Sequence, residues 1–279
     1  MKLETVIVRK ENGIATIMLN RPERLNAINV QLIRDLTEAV DNVGKDHKVR
    51  AVVLTGAGQA FCSGGDFSYS SLRKGGVTAN EMEDVDDGET RYIGYHQGRV
   101  FSGLHKKVIL GLIEMEKPTI AMINGDAVGG GLEFALACDM RVASTQARVG
   151  VGFTRIGLTP GQGMTWLLPR MVGLGRALEF ILLASLWTAE DAHQIGLINM
   201  VLPADKLESE TMAIARRLAD GPPVSLRLSK LQVYNGLRMD LDVALGFAGA
   251  AEYITLMTQN HIEGIQAFAQ KRKPIYKDR

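Results

Sequence analysis

The sequence predicts an α/β fold with a helical C-terminal part, on three observations. Short β-branched runs alternate with stretches whose apolar residues return every three to four positions. A glycine-rich turn opens a helix straight after one such run, at 119–124. Beyond Pro203 the strand signals vanish while helical periodicity continues. With 279 residues and 46% apolar side chains, the chain can bury a sizeable core without disulfides or metals.

Residues 6–8 and 13–19 alternate as strands around Glu11-Asn12, predicting a β-hairpin that Asn20-Arg21-Pro22 ends. Val30, Ile33, Leu36 and Val40 mark a helix over 29–43, and 49–55 is a strand closing on Gly56. The rhythm returns with a strand at 119–124, a helix at 131–138 and a strand at 140–143. Helices at 165–172 and 176–184 and a strand near 197–202 follow. Four further helices are expected over 207–218, 224–235, 241–258 and 262–271. These patterns divide the chain into a core, 1–203, and a helical subdomain, 204–279. Between 67 and 95 the pattern breaks into Lys74-Gly75-Gly76 and the acidic cluster Glu81, Glu83, Asp84, Asp86, Asp87 and Glu89, read either as a lid or as a solvated acidic surface.

A net charge of +1 and the lack of any Lys/Arg-rich stretch give no broad attraction to nucleic acid or anionic lipid, so neither is an expected partner. No apolar stretch reaches the roughly 18–20 residues of a membrane span. Cys62 and Cys138 form no CxxC pair, and the charged start Met1-Lys2-Leu3-Glu4 lacks a signal-peptide core, so a cytoplasmic location is expected. Nucleotide-loop signatures, GxSxG and HExxH are absent, and His47, His96, His105, His193 and His261 are scattered without ligand spacing, so no metal site is expected.

The chemistry concentrates in two turns, Cys62-Ser63-Gly64-Gly65-Asp66 and Gly129-Gly130-Gly131-Leu132-Glu133. Glycine lets the backbone approach a ligand closely. A helix start leaves amides unpaired and favours negative charge, so such turns suit an oxyanion developing on a thioester carbonyl. Glu133 has Gly129, Gly130, Leu136 and Ala137 as its neighbours on the helix, a face without a cation. Burial there raises its pKa and fits it for proton transfer, although a carboxylate that merely accepts backbone amides has the same pattern. Asp66 and Asp139 read as turn or cap acceptors. Arg21, Arg24, Lys271 and Arg272 are candidates for a phosphorylated ligand, against the ordinary alternative of solvated surface bases.

Asn20-Arg21-Pro22…Leu25-Asn26-Ala27, Ala60-Phe61-Cys62-Ser63-Gly64-Gly65-Asp66, Lys117-Pro118…Asn124-Gly125…Gly129-Gly130-Gly131-Leu132-Glu133…Cys138-Asp139 and Gly157-Leu158…Pro160-Gly161 together resemble the crotonase (enoyl-CoA hydratase/isomerase) superfamily. The resemblance continues through Ala189-Glu190-Asp191-Ala192…Gly196-Leu197-Ile198 to Glu263-Gly264 and Lys271-Arg272-Lys273-Pro274. It implies a crotonase-like spiral of ββα units, a C-terminal trimerisation subdomain, and a homotrimer or homohexamer that binds acyl-CoA thioesters. No cofactor is implied, coenzyme A being part of the substrate.

By the same resemblance, the polarising amides are those of Gly65 and Gly130, and Glu133 is the catalytic carboxylate. The adenine–pantetheine arm runs along Cys62, Ser63, Gly64 and Asp66, with Arg24 and Lys271 adding charge. The second glutamate of typical hydratases falls at Phe153, and the acid that some isomerases carry near the Pro160 turn is replaced by Gly161 and Gln162. The reading is therefore hydration of an α,β-unsaturated acyl-CoA. Double-bond isomerisation through one glutamate is the alternative, with decarboxylation, thioester hydrolysis or a non-catalytic CoA-ester scaffold behind it.

Overall fold

The structure, a computed structural model, describes residues 3–66 and 102–277; the acidic cluster and the lid expected between 67 and 95 lie outside the described residues. The chain opens with the expected hairpin, β1 (Val6–Glu11) and β2 (Ile14–Leu19), paired antiparallel from Val6↔Leu19 to Glu11↔Ile14. Its two-residue turn places Asn12 at φ 51° and Gly13 at φ 80°, left-handed positions that these residue types tolerate best. Helix α1 (Val30–Lys45) starts where the Asn29 side chain accepts the Leu32 N–H at 2.8 Å, and buries Leu32, Ile33, Leu36, Ala39, Val40 and Val43. Strand β3 (Ala51–Gly56) is buried at every position, as a strand covered on both faces must be.

Three strand pairs then build the fold: β3 with β4 (Ala60–Cys62), β5 (Thr119–Ile123) with β6 (Asp126–Val128), and β7 (Met140–Ser144) with β8 (Arg148–Gly150). The first member of each pair joins a six-stranded sheet, and the second joins a four-stranded sheet with β9 (Leu186–Thr188). With β10 (Met200–Leu202), the orders are β1-β2-β3-β5-β7-β10 and β4-β6-β8-β9. This repeated alternation between two sheets is the ββα spiral. The small sheet was not foreseen: its strands are three residues long, too short to show a period.

Helix α2 spans 102–113, and α3 (Gly130–Ala137) is buried along its whole length at the centre of the molecule. Helix α3 follows the second pair, and α4 (Met164–Val172), α5 (Leu174–Leu182) and α6 (Ala189–Gln194) all come after the third. Neither α2 nor α6 was expected from periodicity. The strand expected from 197 is confined to β10, because Leu197 and Ile198 hydrogen-bond back to the Ala192 carbonyl at the end of α6.

Four helices close the chain: α7 (Ala204–Ala219), α8 (Pro223–Gly236), α9 (Leu241–Leu256) and α10 (Gln259–Ala269). Leu207, Ala215 and Ala219 of α7 pack with Ile14, Ala51, Val53, Ile120, Met122 and Val142, so α7 covers one face of the large sheet although it lies beyond residue 203. Helix α8 is fastened to the core by Lys230, 2.9 Å from Asp139, whose other oxygen accepts the Tyr234 hydroxyl at 3.0 Å. No helix among the described residues is long and apolar enough to cross a membrane.

Candidate active site

Strands β4, β6 and β8 are parallel neighbours, aligned at Ala60↔Asp126, Ala127↔Val149 and Val128↔Gly150. Their C-terminal ends therefore lie side by side, and the segments that follow them, 63–66, 129–131 and 151–153, leave the sheet together. The two glycine turns are in contact: a Cβ on Gly64 would sit 2.9 Å from the Val128 carbonyl oxygen, and one on Gly131 would strike the Cys62 carbonyl. Gly64 at φ 93° and Gly129 at φ 54° also hold backbone conformations that side chains disfavour.

The first turn is zipped to the loop after β2. Ser63 N–H donates to the Leu25 carbonyl at 3.0 Å, Ile28 N–H to Gly64 at 2.7 Å, and Asp66 N–H to Ile28 at 3.0 Å. In this parallel bridge Ile28 uses the groups on either side of Gly65, so the N–H of Gly65 itself points the other way. Arg21 locks the arrangement with one guanidinium nitrogen 2.9 Å from the Asp66 carboxylate and another donating to the Ala27 carbonyl. Buried Asn26, at φ 56°, ties the same loop to the Ala57 and Ala60 carbonyls at 2.9 and 2.8 Å.

In the second turn Gly129 N–H donates to Gly150 at 2.9 Å, and Glu133 N–H donates to Gly129 at 3.1 Å as the first bond of α3. Gly130, in the first turn of the helix, has no intrahelical acceptor. Among the described residues neither the Gly65 nor the Gly130 N–H donates to a backbone acceptor.

Glu133 stands one turn into α3 and is 1% exposed. Its Oε1 accepts the Gln162 N–H at 3.0 Å, and the Met164 amide, at the start of α4, also hydrogen-bonds the carboxylate. Burial pushes its pKa up to about 7, and the two amides hold it from rising further. Both branches of the sequence reading thus apply: Glu133 accepts backbone amides, and it is a desolvated acid with a pKa suited to proton exchange near neutrality.

The face expected to lack a charged neighbour meets His105, which the sequence did not single out. This imidazole comes from α2, is 3% exposed, and sets Nε2 3.8 Å from Glu133 Oε2. Burial lowers its pKa to about 4, so at neutral pH it is uncharged and the contact is not an ion pair. Its ring leans on Phe134 at 4.7 Å, and its Cε1 is 3.0 Å from where a Gly130 Cβ would be.

Phe153 reaches the same place from the end of β8, its ring 3.6 Å from the Cβ position of Gly129. Gln162 shows its amide to Glu133 and donates its side chain to Ser102, the first described residue of α2, 2.8 Å away. Gln162 and Met164 act through the backbone, for which no side-chain pattern exists to be read.

Of the other expected residues, Cys62 is fully buried with its thiol pushed up to about 12, so its side chain belongs to the packing and not to a ligand path. Asp66 has the structural role expected of it, through Arg21. Of the four candidate phosphate contacts, Arg21 is engaged with Asp66 and Ala27, and Arg272 with Glu263 at 2.6 and 2.9 Å. Arg24 and Lys271 are exposed, and among the described residues no contact ties their side chains to the glycine turns. Among the described residues there is no cluster of three His, Cys, Asp or Glu side chains fit to hold a metal ion.

Comparison with known proteins bears on the fold and the family. The family profile described as enoyl-CoA hydratase/isomerase matches residues 9–279. The short-chain-enoyl-CoA hydratase of Clostridium acetobutylicum is 36% identical over 274 residues, 98% of this chain and 97% of that protein. The 1,2-epoxyphenylacetyl-CoA isomerase of Escherichia coli is 32% identical, covering 98% of each. The crystal structure of an enoyl-CoA hydratase from Bacillus anthracis superposes with a TM-score of 0.86 at 31% identity, over 99% of this chain and 100% of that one. Spiral, glycine turns and profile agree, and the chain belongs to the enoyl-CoA hydratase/isomerase family.

Proposed function

We propose that this protein hydrates the double bond of an α,β-unsaturated acyl-CoA. The observation that carries the reading is Glu133, buried one helical turn from Gly130 on the helix whose opening turn touches the turn that holds Gly65. In this reading the thioester oxygen accepts the Gly65 and Gly130 N–H groups. Glu133 takes a proton from water as the water oxygen bonds to Cβ, and the π electrons move onto the thioester as an enolate. The proton then returns from Glu133 to Cα, and the enolate electrons form the new C–H bond. Each oxyanion donor contributes about 10²–10³ in rate, and a positioned base about 10²–10⁴.

Isomerisation is the second reading, favoured by one observation: Phe153 stands against Gly129 where a second carboxylate would serve hydration. A single acid that takes a proton at one carbon and returns it at another needs no water. The coenzyme A arm follows Ser63 to Asp66, with Arg24 of the same chain and Lys271 of the partner subunit adding positive charge, and no cofactor beyond that arm is required.

A homotrimer, or a hexamer of paired trimers, is supported by the exposed apolar side chains Leu182 and Leu183 near the end of α5, Leu241 and Leu245 of α9, and Phe268 of α10, at 66, 69, 75, 63 and 88%. Two buried, unpaired cysteines suit a reducing cytoplasm. The test is a panel of 2-enoyl, 3-enoyl and cyclic dienoyl thioesters with products identified by mass. Gain of water on crotonyl-CoA supports the hydratase, and an unchanged mass with a shifted double bond supports the isomerase. Binding without turnover across the panel rejects both.

A further inference from the structure

We infer that His105 is the second functional side chain of the site, a positioning residue that holds the reactive oxygen of Glu133; the inference rests on the assignment of Glu133 as the proton-transfer group. The carboxyl is gripped from two sides. From the loop before α4 and the start of α4, Gln162 and Met164 direct backbone amides at it, with Oε1 at 3.0 Å from the Gln162 nitrogen. From α2, His105 presents Nε2 to Oε2 at 3.8 Å, one small movement beyond hydrogen-bond length. The two sides are themselves joined, since the Gln162 side chain donates to Ser102 at 2.8 Å, tying the loop before α4 to α2 near the acid.

The same imidazole edge borders Gly130, with Nε2 3.6 Å from its Cβ position. It therefore lies between the backbone proposed to hold the thioester oxygen and the carboxyl oxygen that must reach the reacting carbon.

Every other described group at the acid is uncharged. Gly129, Gly130, Leu136 and Ala137 flank it on α3, Phe153 approaches from the end of β8, and Cys62 of the first turn is a neutral thiol. Among the described residues His105 is the titratable side chain at the carboxyl, and Asp66 of the same turn is paired with Arg21. Opposite an ionised carboxylate, a neutral imidazole is most stable with its proton on the facing nitrogen, so Nε2–H donates toward Oε2 and favours the basic form of Glu133.

The experiment compares His105→Phe and His105→Gln with the native enzyme in kcat and kcat/KM from pH 5.5 to 9. Phe keeps the ring against Phe134 and removes the donor; Gln returns an N–H of similar reach. With His105→Phe the acid limb is expected to move up by about half a pH unit or more, with kcat down about tenfold and KM within about twofold. His105→Gln is expected to bring the limb back. Should Phe not fold, His105→Met, apolar and of similar volume, takes its place. A limb that moves less, or downward, overturns the inference, as does His105→Gln behaving like Phe. Glu133→Gln separates the two layers: if it retains activity, the assignment of the acid fails, whereas loss of activity there with an unmoved limb in His105→Phe defeats only the role of His105.

Discussion

Glu133→Gln tests the site through two independent quantities. Gln keeps the shape of the side chain and a carbonyl oxygen for the Gln162 and Met164 amides, but it can neither take nor return a proton. Turnover should fall by about 10²–10⁴ while acyl-CoA binding stays within a few fold. The second quantity is stability. Glu133 titrates at about 7 in the fold against an ordinary 4.5, so between those values the native state binds a proton that the unfolded chain has released. Native stability therefore falls as pH rises from 4.5 to 7, and the loss is complete above 7. At about 1.4 kcal/mol per pH unit the gap is worth about 3 kcal/mol. The Gln variant lacks this slope. Its advantage over the native protein in urea unfolding should be about 3 kcal/mol larger at pH 8 than at pH 4.5. Parallel stability curves for the two proteins across that range would show that Glu133 is not a desolvated acid, and the site argument would fail with them.

Other outcomes follow from the same contacts. In kcat/KM against pH, the acid limb should be centred near 7 and fall about tenfold per unit below it, because Glu133 must be ionised to take a proton; a limb near 4.5 contradicts this. Arg21→Met breaks the clasp on Asp66 and loosens the turn that aims the Gly65 N–H. It should lower kcat about tenfold with KM little changed, and an unaltered kcat means that the clasp does not aim the amide. Phe153→Glu places a second carboxylate near Gly129; hydration of crotonyl-CoA should rise several-fold and the acid limb should shift upward, since like charges oppose ionisation. No gain in a folded variant rejects the two-acid account of this position.

What the sequence made legible follows from the range of the interactions involved. Helix α1 announces itself by a burial pattern that repeats every three to four residues, and strand β3 by a short β-branched run. The two glycine turns were readable as residue types, and the family resemblance joined them in one site, which the residue pattern by itself does not. Their contact depends on β4, β6 and β8 pairing in parallel, and three-residue strands leave no period in the chain. Phe153 was placed by motif spacing alone, and its ring is at Gly129. His105 left no local signal: one histidine in an apolar helix reads the same whether it faces solvent or a carboxyl. The amides of Gln162 and Met164 were invisible for a simpler reason, since any residue can supply them.

In the proposed mechanism, the raised pKa of Glu133 lets the one carboxyl found at the site among the described residues do work that hydration divides between a base and an acid. Hydration needs a base to deprotonate water and an acid to protonate Cα. An ordinary glutamate at pH 7 is in its acid form about once in three hundred. At about 7, Glu133 is equally populated as acid and base, so holding the proton taken from water is no longer uphill by that factor before it passes to Cα. Two features of the fold set this balance against each other. Complete burial on α3 drives the pKa up, while the amides at the head of α4 keep the charged form accessible. Moving the pKa in either direction should therefore slow one half of the reaction. A helix-start donor lost by Met164→Pro should shift the acid limb upward for water addition and, by the same amount, for the exchange of the Cα proton of bound saturated acyl-CoA with deuterated solvent, since ionised Glu133 begins both. A limb that moves for one and not for the other would mean that the two halves do not share Glu133.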